Sequence, residues 1–184
     1  MKITWIVLGV AVLAVLALIG IFNSLVALRN QVKNAWAQID VQLKRRYDLI
    51  PNLIETVKGY VKHEQGTLEN ITKARAQAMG AGSVGEKARA EGQLTDAVNK
   101  FLVVAESYPD LKANQNFMAL QEELRSTENK IAFSRQSYND QVMFYNNKIQ
   151  MFPSSLIAGT FGFNPEASFK VDTAAEREAP KVQF

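Results

Sequence analysis

The pattern of apolar and polar positions divides the chain into two parts. The first is an apolar N-terminal segment, and the second is a long segment in which apolar residues recur every three or four positions, as in a helix. Residues 3–22 contain no charged side chain. As a helix they extend about 30 Å, the thickness of the hydrocarbon core of a bilayer. The pattern therefore predicts one membrane-spanning helix. We name four of its residues as anchor residues: Trp5, Leu13, Leu16 and Phe22.

A cleaved signal peptide is the competing interpretation of this segment. Lys2 supplies the basic start that such peptides have. However, the apolar run exceeds the roughly 7–15 residues of a signal-peptide core, and residues 20–25 offer no small-x-small cleavage pattern. A buried core helix is disfavoured, because the rest of the chain is not apolar enough to enclose it. A retained anchor is the preferred prediction.

A single apolar stripe continues beyond the anchor. Its members recur three or four residues apart almost throughout, which is typical of one helical face and not of a strand. The stripe stays in phase across Pro51, although proline inside a helix costs about 3 kcal/mol. The sequence predicts either a kinked continuous helix or two helices that meet at residues 48–51. The members are Leu25, Leu28, Val32, Trp36, Ile39, Leu43, Tyr47, Ile50, Ile54, Val57, Val61, Leu68 and Ile71.

Two breaks follow this stripe. Residues 80–85 contain three glycines, which predicts a turn. The next helix is shorter and stops near Pro109, which disfavours helix at the residue before it. Its apolar face consists of Leu94, Val98, Phe101, Leu102 and Ala105.

A strict seven-residue repeat marks the last long helix. Such a repeat keeps one row of side chains facing a neighbouring helix, so it predicts a helix-packing seam. The companion row, which includes Thr127, Ser134, Gln141 and Lys148, is small or polar. It indicates either hydrogen-bonded layers or a thinner part of the core. The predicted seam residues are Phe117, Leu124, Ile131, Tyr138, Tyr145 and Phe152.

The C-terminal tail changes character after Pro153. We expect an irregular aromatic tail over residues 154–184, in which Phe161 and Phe163 either fill grooves on the chain's own bundle or bind a neighbour. Residues 173–181 are polar enough to be solvated. The predicted domains are therefore an anchor (1–23), a helical bundle (24–153) and this tail.

Composition removes several classes of function. The chain has 21 Lys and Arg against 18 Asp and Glu, and a net charge of +3 is too small to indicate nucleic-acid binding. There is no cysteine, and His63 is the single histidine, expected on the surface. Phosphate-binding glycine loops and serine- or zinc-hydrolase motifs are absent from the sequence. We therefore expect no cofactor, no metal and no enzymatic activity. An enzyme that uses only carboxylates and lysines is the least favoured alternative.

The sharpest charge cluster is residues 44–46, Lys-Arg-Arg. It lies about 33 Å beyond Phe22 if the helix is continuous, too far to reach the headgroups of its own bilayer. We expect a solvated face; the alternative is a site for an acidic partner or an anionic lipid surface.

Five sequence blocks resemble the LemA family of bacterial membrane proteins. They are AWAQIDVQLKRRYDLIPNL (35–53), AESYPDLKANQNF (105–117), ENKIA (128–132), RQSYN (135–139) and FP (152–153). The resemblance implies a short N-terminus, one membrane span and an antiparallel helical bundle, with no established enzymatic activity. Pattern and resemblance together predict an all-α protein, in which a transmembrane helix precedes an up-and-down bundle of long helices.

We expect this protein to act as an interaction or scaffolding module in the bacterial cytoplasmic (inner) membrane, with a single pass through the bilayer. The preferred version is a homo-oligomer; the alternative is a monomeric adaptor for a membrane-protein partner such as a membrane protease. The side that holds the bundle stays open, because Lys2 and the amino terminus balance Arg29 and Lys33 across the span.

Overall fold

The computed structural model describes residues 2–61 and 64–170. This part of the chain contains six helices and no strand, so the all-α prediction is confirmed. His63, residues 173–181 and the rest of the tail from residue 171, for which we stated expectations, lie outside the described residues. The helices are α1 (Lys2–Val57), α2 (Gln65–Gly80), α3 (Val84–Ala105), α4 (Pro109–Lys112), α5 (Gln115–Gln150) and α6 (Ser154–Phe161).

Helix α1 runs without interruption through Pro51. Of the two alternatives at this proline, the continuous helix is correct. The exposed Pro51 is flanked by Ile50 and Leu53, which are both fully buried. Burial of each side chain contributes about 1.5–3 kcal/mol, which offsets the proline's cost of about 3 kcal/mol.

The apolar stripe does not continue as one helix to Ile71, as its spacing had indicated. Helix α1 ends at Val57 and α2 begins at Gln65. Two glycines, Gly59 and Gly66, lie in or next to this break, and each weakens a helix by about 1 kcal/mol relative to alanine. The stripe also lacks an apolar residue between Val61 and Leu68, so little burial opposes the break.

The predicted glycine turn lies between α2 and α3. Ser83 caps α3: its Oγ accepts a hydrogen bond from the Glu86 amide at 3.2 Å, and the Glu86 carboxylate accepts one from the Ser83 amide at 3.1 Å. This reciprocal arrangement is a capping box, and it ties the turn to the start of α3.

The chain divides into two compact units, to which α1 and α5 both contribute. We call residues 2–39 and 134–168 the anchor unit. The bundle unit comprises residues 40–61, 64–133 and 169–170.

In the bundle unit, short connections make consecutive helices antiparallel, which is the up-and-down arrangement predicted. Arg75 of α2 donates from Nε to the Tyr47 carbonyl of α1 at 2.8 Å. Arg46 of α1 pairs with Glu128 of α5 at 3.1 Å. A backbone carbonyl of α1 therefore bonds to α2, and a side chain of α1 bonds to α5.

In the anchor unit, α1 and α5 run antiparallel. The rings of Trp36 and Tyr138 lie 5.2 Å apart, edge to face. Seven residues earlier on α1 is Arg29, and its charge acts on Tyr145, seven residues later on α5. The two helices therefore pack in a constant antiparallel register. A residue that lies a given number of positions earlier on α1 is level with the residue the same number of positions later on α5.

The tail predicted as irregular begins with a helix. Helix α6 spans Ser154–Phe161 and ends at Gly162, whose φ of 71° is a left-handed conformation that glycine adopts without strain. An eight-residue helix is too short to give a distinct periodic signal, so the sequence pattern missed it.

Candidate functional site

The anchor residues form the exposed part of α1. Trp5, Leu13 and Leu16 are all exposed, and none of the most apolar stretch of α1 is buried by the protein. Among the described helices, α1 is the one that is long and apolar enough to cross a membrane by length and composition. Phe22, at the end of the apolar segment, is half-buried. It therefore marks the point where protein packing begins.

Three phenylalanines meet at this point. The Phe22 ring centroid lies 5.0 Å from that of Phe161 and 5.7 Å from that of Phe163, both edge to face. Each such pair contributes about 0.5–1.5 kcal/mol beyond the area it buries. Phe163 is buried, whereas Phe161 remains 62% exposed. The two predicted tail-contact residues thus pack on the chain's own anchor helix, and Phe161 keeps a free face.

Side chains of α5 hold the segment that follows α6, residues 163–168, which we call the tail strap. Tyr138 donates to the Ala167 carbonyl at 2.8 Å, and Tyr145 donates to the Asn164 carbonyl at 3.0 Å. Asn146 makes two bonds of 2.9 Å with the backbone of Glu166, one as donor and one as acceptor. These bonds fix the strap along α5.

Burial raises the pKa of both tyrosines that hold the strap. Burial raises the pKa of Tyr138 to about 12, and the Glu166 charge acts in the same direction. Burial also raises the pKa of Tyr145, partly offset by the charge of Arg29. The raised pKa values therefore extend to more alkaline pH the range in which both phenols stay protonated and donate to the strap.

The structure buries five of the six predicted seam residues: Phe117, Leu124, Ile131, Tyr138 and Tyr145. Phe152 does not belong to the seam, because α5 ends at Gln150 and the ring is 81% exposed in the turn that follows. In the companion row, Thr127 and Ser134 are buried. The Thr127 hydroxyl finds no hydrogen-bond partner within the described part of the chain, so no hydrogen-bonded layer forms there.

The basic cluster at 44–46 is not a simple solvated face, because Arg46 is only 3% exposed. Its guanidinium pairs with Glu91 of α3 at 3.4 Å and with Glu128 of α5 at 3.1 Å. It also donates to the Thr95 hydroxyl at 2.8 Å. Arg45, by contrast, makes a partly exposed pair with Glu123. Arg46 thus connects three helices of the bundle unit.

Tyr47 completes this buried charge cluster, which consists of Arg46, Tyr47, Glu91, Thr95 and Glu128. The Tyr47 hydroxyl donates to the Glu91 carboxylate. Burial raises the pKa of Glu91, whereas the Tyr47 hydrogen bond and the Arg46 charge lower it. Burial also raises the pKa of Tyr47, with the Glu91 hydrogen bond adding to the effect. Every member is bonded within the cluster, which indicates a structural role.

The sequence analysis missed this cluster, although one signal could have indicated it. Glu91 lies three residues before Leu94 and seven before Val98, so helical spacing places a carboxylate on the apolar face of α3. A charge on a buried face needs a partner of opposite sign. Which of the many basic residues supplies it does not follow from spacing alone.

The anchor unit also has an open groove of about 480 Å³ between α1 and α5. Its lining is mostly amide and small side chains, with Phe144 exposed on α5. The groove is lined by Gln31, Asn34, Ala35, Gln38, Ser137, Gln141 and Phe144.

Within residues 2–61 and 64–170, no three His, Asp or Glu side chains gather as a metal site.

One known protein family matches most of this chain. The model of the LemA family matches residues 35–184. The chain is 27% identical to Protein LemA of Metamycoplasma hominis over 142 residues, which cover 76% of this chain and 64% of that protein's length. It is 21% identical to Magnetosome protein MamQ 2 of Paramagnetospirillum magneticum, covering 91% and 72% of the two chains. It is 20% identical to Magnetosome protein MamQ of Magnetospirillum gryphiswaldense, and the matched residues cover 85% of this chain and 68% of that protein. None of these names describes an enzyme.

Proposed function

Since this chain belongs to the LemA family, we propose that it is a non-enzymatic interaction or scaffolding module that assembles as a homo-oligomer at the membrane. The family and the apolar helix indicate a membrane-anchored protein. We further propose that α1 is its single span, in the bacterial cytoplasmic membrane. The LemA and MamQ relatives are not known enzymes, which supports a role based on binding.

The observation that carries this proposal is the continuity of α1 from the apolar segment into the packed helices. The groove residues Gln31 and Gln38 lie about 14–24 Å beyond Phe22 along one rigid helix. Every copy in a membrane would therefore present its open groove at the same height. Confinement to a plane would bring such grooves together by lateral diffusion alone.

The open groove suits a second copy of this chain. The anchor unit contains only two long helices in its described part, and the tail strap binds to one of them. Amide side chains donate and accept hydrogen bonds at once, so the same groove on two copies can be self-complementary. Phe144 adds apolar area to that contact.

Sedimentation of the full-length protein in mild detergent tests the assembly. We expect the wild type to sediment as more than one chain and Phe144→Arg to shift towards the monomer, because a charge there must be desolvated in the contact. Val103→Arg is the matched control, since Val103 is an exposed apolar residue of α3 in the bundle unit. A monomeric wild type at micromolar concentration would refute homo-oligomerisation.

Membrane insertion tests the anchor separately. Leu13→Arg should cost about 2.5–3.5 kcal/mol of insertion and move protein out of the membrane fraction, whereas Leu13→Met should not. Intact mass of the membrane-extracted wild type gives a second readout. A species that lacks the first twenty-odd residues would show a cleaved signal peptide in place of an anchor.

The second candidate function is that of a monomeric adaptor for a membrane-protein partner such as a membrane protease. The same groove supports it, because its amide and small side chains would accommodate a helix from another protein. A monomer in detergent, combined with cross-links in membranes to a different chain, would select the adaptor.

A further inference from the structure

A second charge-free run, residues 149–165, surrounds α6. Its inner side is packed: Ile157 and Ala158 are buried against the anchor unit. Its outer side is also apolar, which is unusual, because the solvent-facing side of a surface helix normally carries polar residues. The large exposed side chains are Met151, Phe152, Leu156 and Phe161, and Thr160, whose hydroxyl donates to the Leu156 carbonyl, is the one exposed polar side chain between residues 151 and 161. We call residues 151–161 the apolar foot.

The apolar foot lies at the end of the membrane anchor. Phe161 contacts Phe22, the last residue of the apolar segment, at 5.0 Å between ring centroids. The antiparallel register of α1 and α5 independently places the apolar foot at the end of the anchor. Fourteen residues of α1 separate Trp36 from Phe22, about 21 Å, and twelve residues of α5 separate Tyr138 from its last residue, Gln150, about 18 Å in the same direction. The end of α5, with Phe152 in the turn that follows, therefore lies near the level of Phe22.

We propose that the apolar foot is a second membrane-contacting element, whose exposed side chains enter the interfacial region of the bilayer that α1 crosses. The inference rests on the anchoring part of the proposed function. Interfacial elements bury their apolar face about 5–10 Å into the headgroup and acyl boundary, which matches a foot placed at the end of the span. The occupant is lipid, because the foot is continuous with the lipid-facing surface of α1 through the Phe22–Phe161 contact.

The surrounding charges fit a bilayer surface. Arg29 and Lys33 are exposed and lie about 10 and 16 Å beyond Phe22 along α1. Headgroups occupy the first several ångströms beyond the hydrocarbon core, and long basic side chains reach back towards them. Two attachments to one bilayer, α1 and the foot, would fix the rotation of α1 about its axis. They would thereby fix the direction in which the open groove faces.

Site-directed fluorescence tests this placement. The sequence has no cysteine, so Leu156→Cys provides a unique labelling site at the foot. The full-length protein, labelled with an environment-sensitive fluorophore, is reconstituted into phosphatidylcholine–phosphatidylglycerol vesicles. Quenching by lipids with a nitroxide near the headgroup is compared with quenching by aqueous iodide. Met143→Cys is the matched control, because Met143 is exposed and does not line the groove, and the register places it about 10 Å further from the span than the end of α5 at Gln150. Leu13→Cys, measured with lipids that carry the nitroxide deep on the acyl chain, reports on the anchor.

We expect the label at position 156 to be quenched several-fold more by lipid nitroxide than by iodide, and the label at 143 to show the reverse. Iodide quenching at 156 as strong as at 143 would overturn the proposal. So would protection from both quenchers, because a protein surface, such as a second copy, would then cover the foot. In either case, lipid quenching at position 13 would leave the anchor intact and confine the failure to the foot.

Discussion

The bundle unit and the anchor unit share α1 and α5 but are stabilised by different interactions. In the bundle unit, helices enclose a buried charge cluster centred on Arg46. In the anchor unit, α5 holds a backbone strap through Tyr138, Tyr145 and Asn146. The first arrangement surrounds its polar groups with protein. Both units have an open groove, of about 590 Å³ in the bundle unit and about 480 Å³ in the anchor unit. The anchor unit also exposes an apolar foot at the end of the membrane anchor, which is why we assign interactions with lipid and with other chains to it.

The largest effect that separates the two units is expected from Arg46→Met. The change removes the cation closest to Glu91 and leaves a buried carboxylate, so the free energy of unfolding should fall by about 3–5 kcal/mol. Arg45→Met, which breaks a partly exposed pair, should cost at most about 1 kcal/mol. Urea unfolding of the full-length protein in detergent, followed by circular dichroism, measures both. Equal losses in the two variants would show that the cluster does not hold the bundle unit.

A smaller effect is expected in the tail strap. Asn146→Ala removes two hydrogen bonds to the Glu166 backbone, each worth about 0.5–1.5 kcal/mol. Hydrogen–deuterium exchange at the Glu166 amide should therefore accelerate. Asn147→Ala is the matched control, because this exposed asparagine is the next residue on α5. Unchanged exchange at Glu166 in Asn146→Ala would mean that the strap does not depend on this side chain.

The smallest effect concerns pH. An unfolded tyrosine ionises near pH 10.0, whereas folded Tyr138 keeps its proton up to about 12. Between these values the unfolded state binds fewer protons, so this tyrosine's contribution to stability is present below pH 10 and is lost as pH rises towards 12. In Tyr138→Phe, the free energy of unfolding should fall less steeply across that window. Tyr60→Phe, which changes an exposed tyrosine, serves as the control. Identical slopes for wild type and Tyr138→Phe would contradict the assignment.

Sequence periodicity predicted burial well, because helical spacing directly reflects which face is packed. It placed the apolar face of α1 and most of the seam, whereas the anchor was predicted from the length of its charge-free run. It missed the break after Val57, where the apolar positions keep their phase although the helix stops. It also assigned Arg46 to solvent, because spacing does not reveal that Glu91 and Glu128 meet it from other helices. Helix α6 was missed because eight residues, with large apolar side chains on both the inner and the outer side, give no distinct periodic signal.

Photo-cross-linking in native membranes tests most directly whether the anchor unit mediates self-association. A photoreactive phenylalanine analogue replaces Phe144 on the open groove or, as the control, Val103 in the bundle unit; both positions are exposed. Self-association through the groove predicts a strong dimer product from position 144 and little from position 103. Absence of a dimer at 144, or equal yields at the two positions, would contradict it.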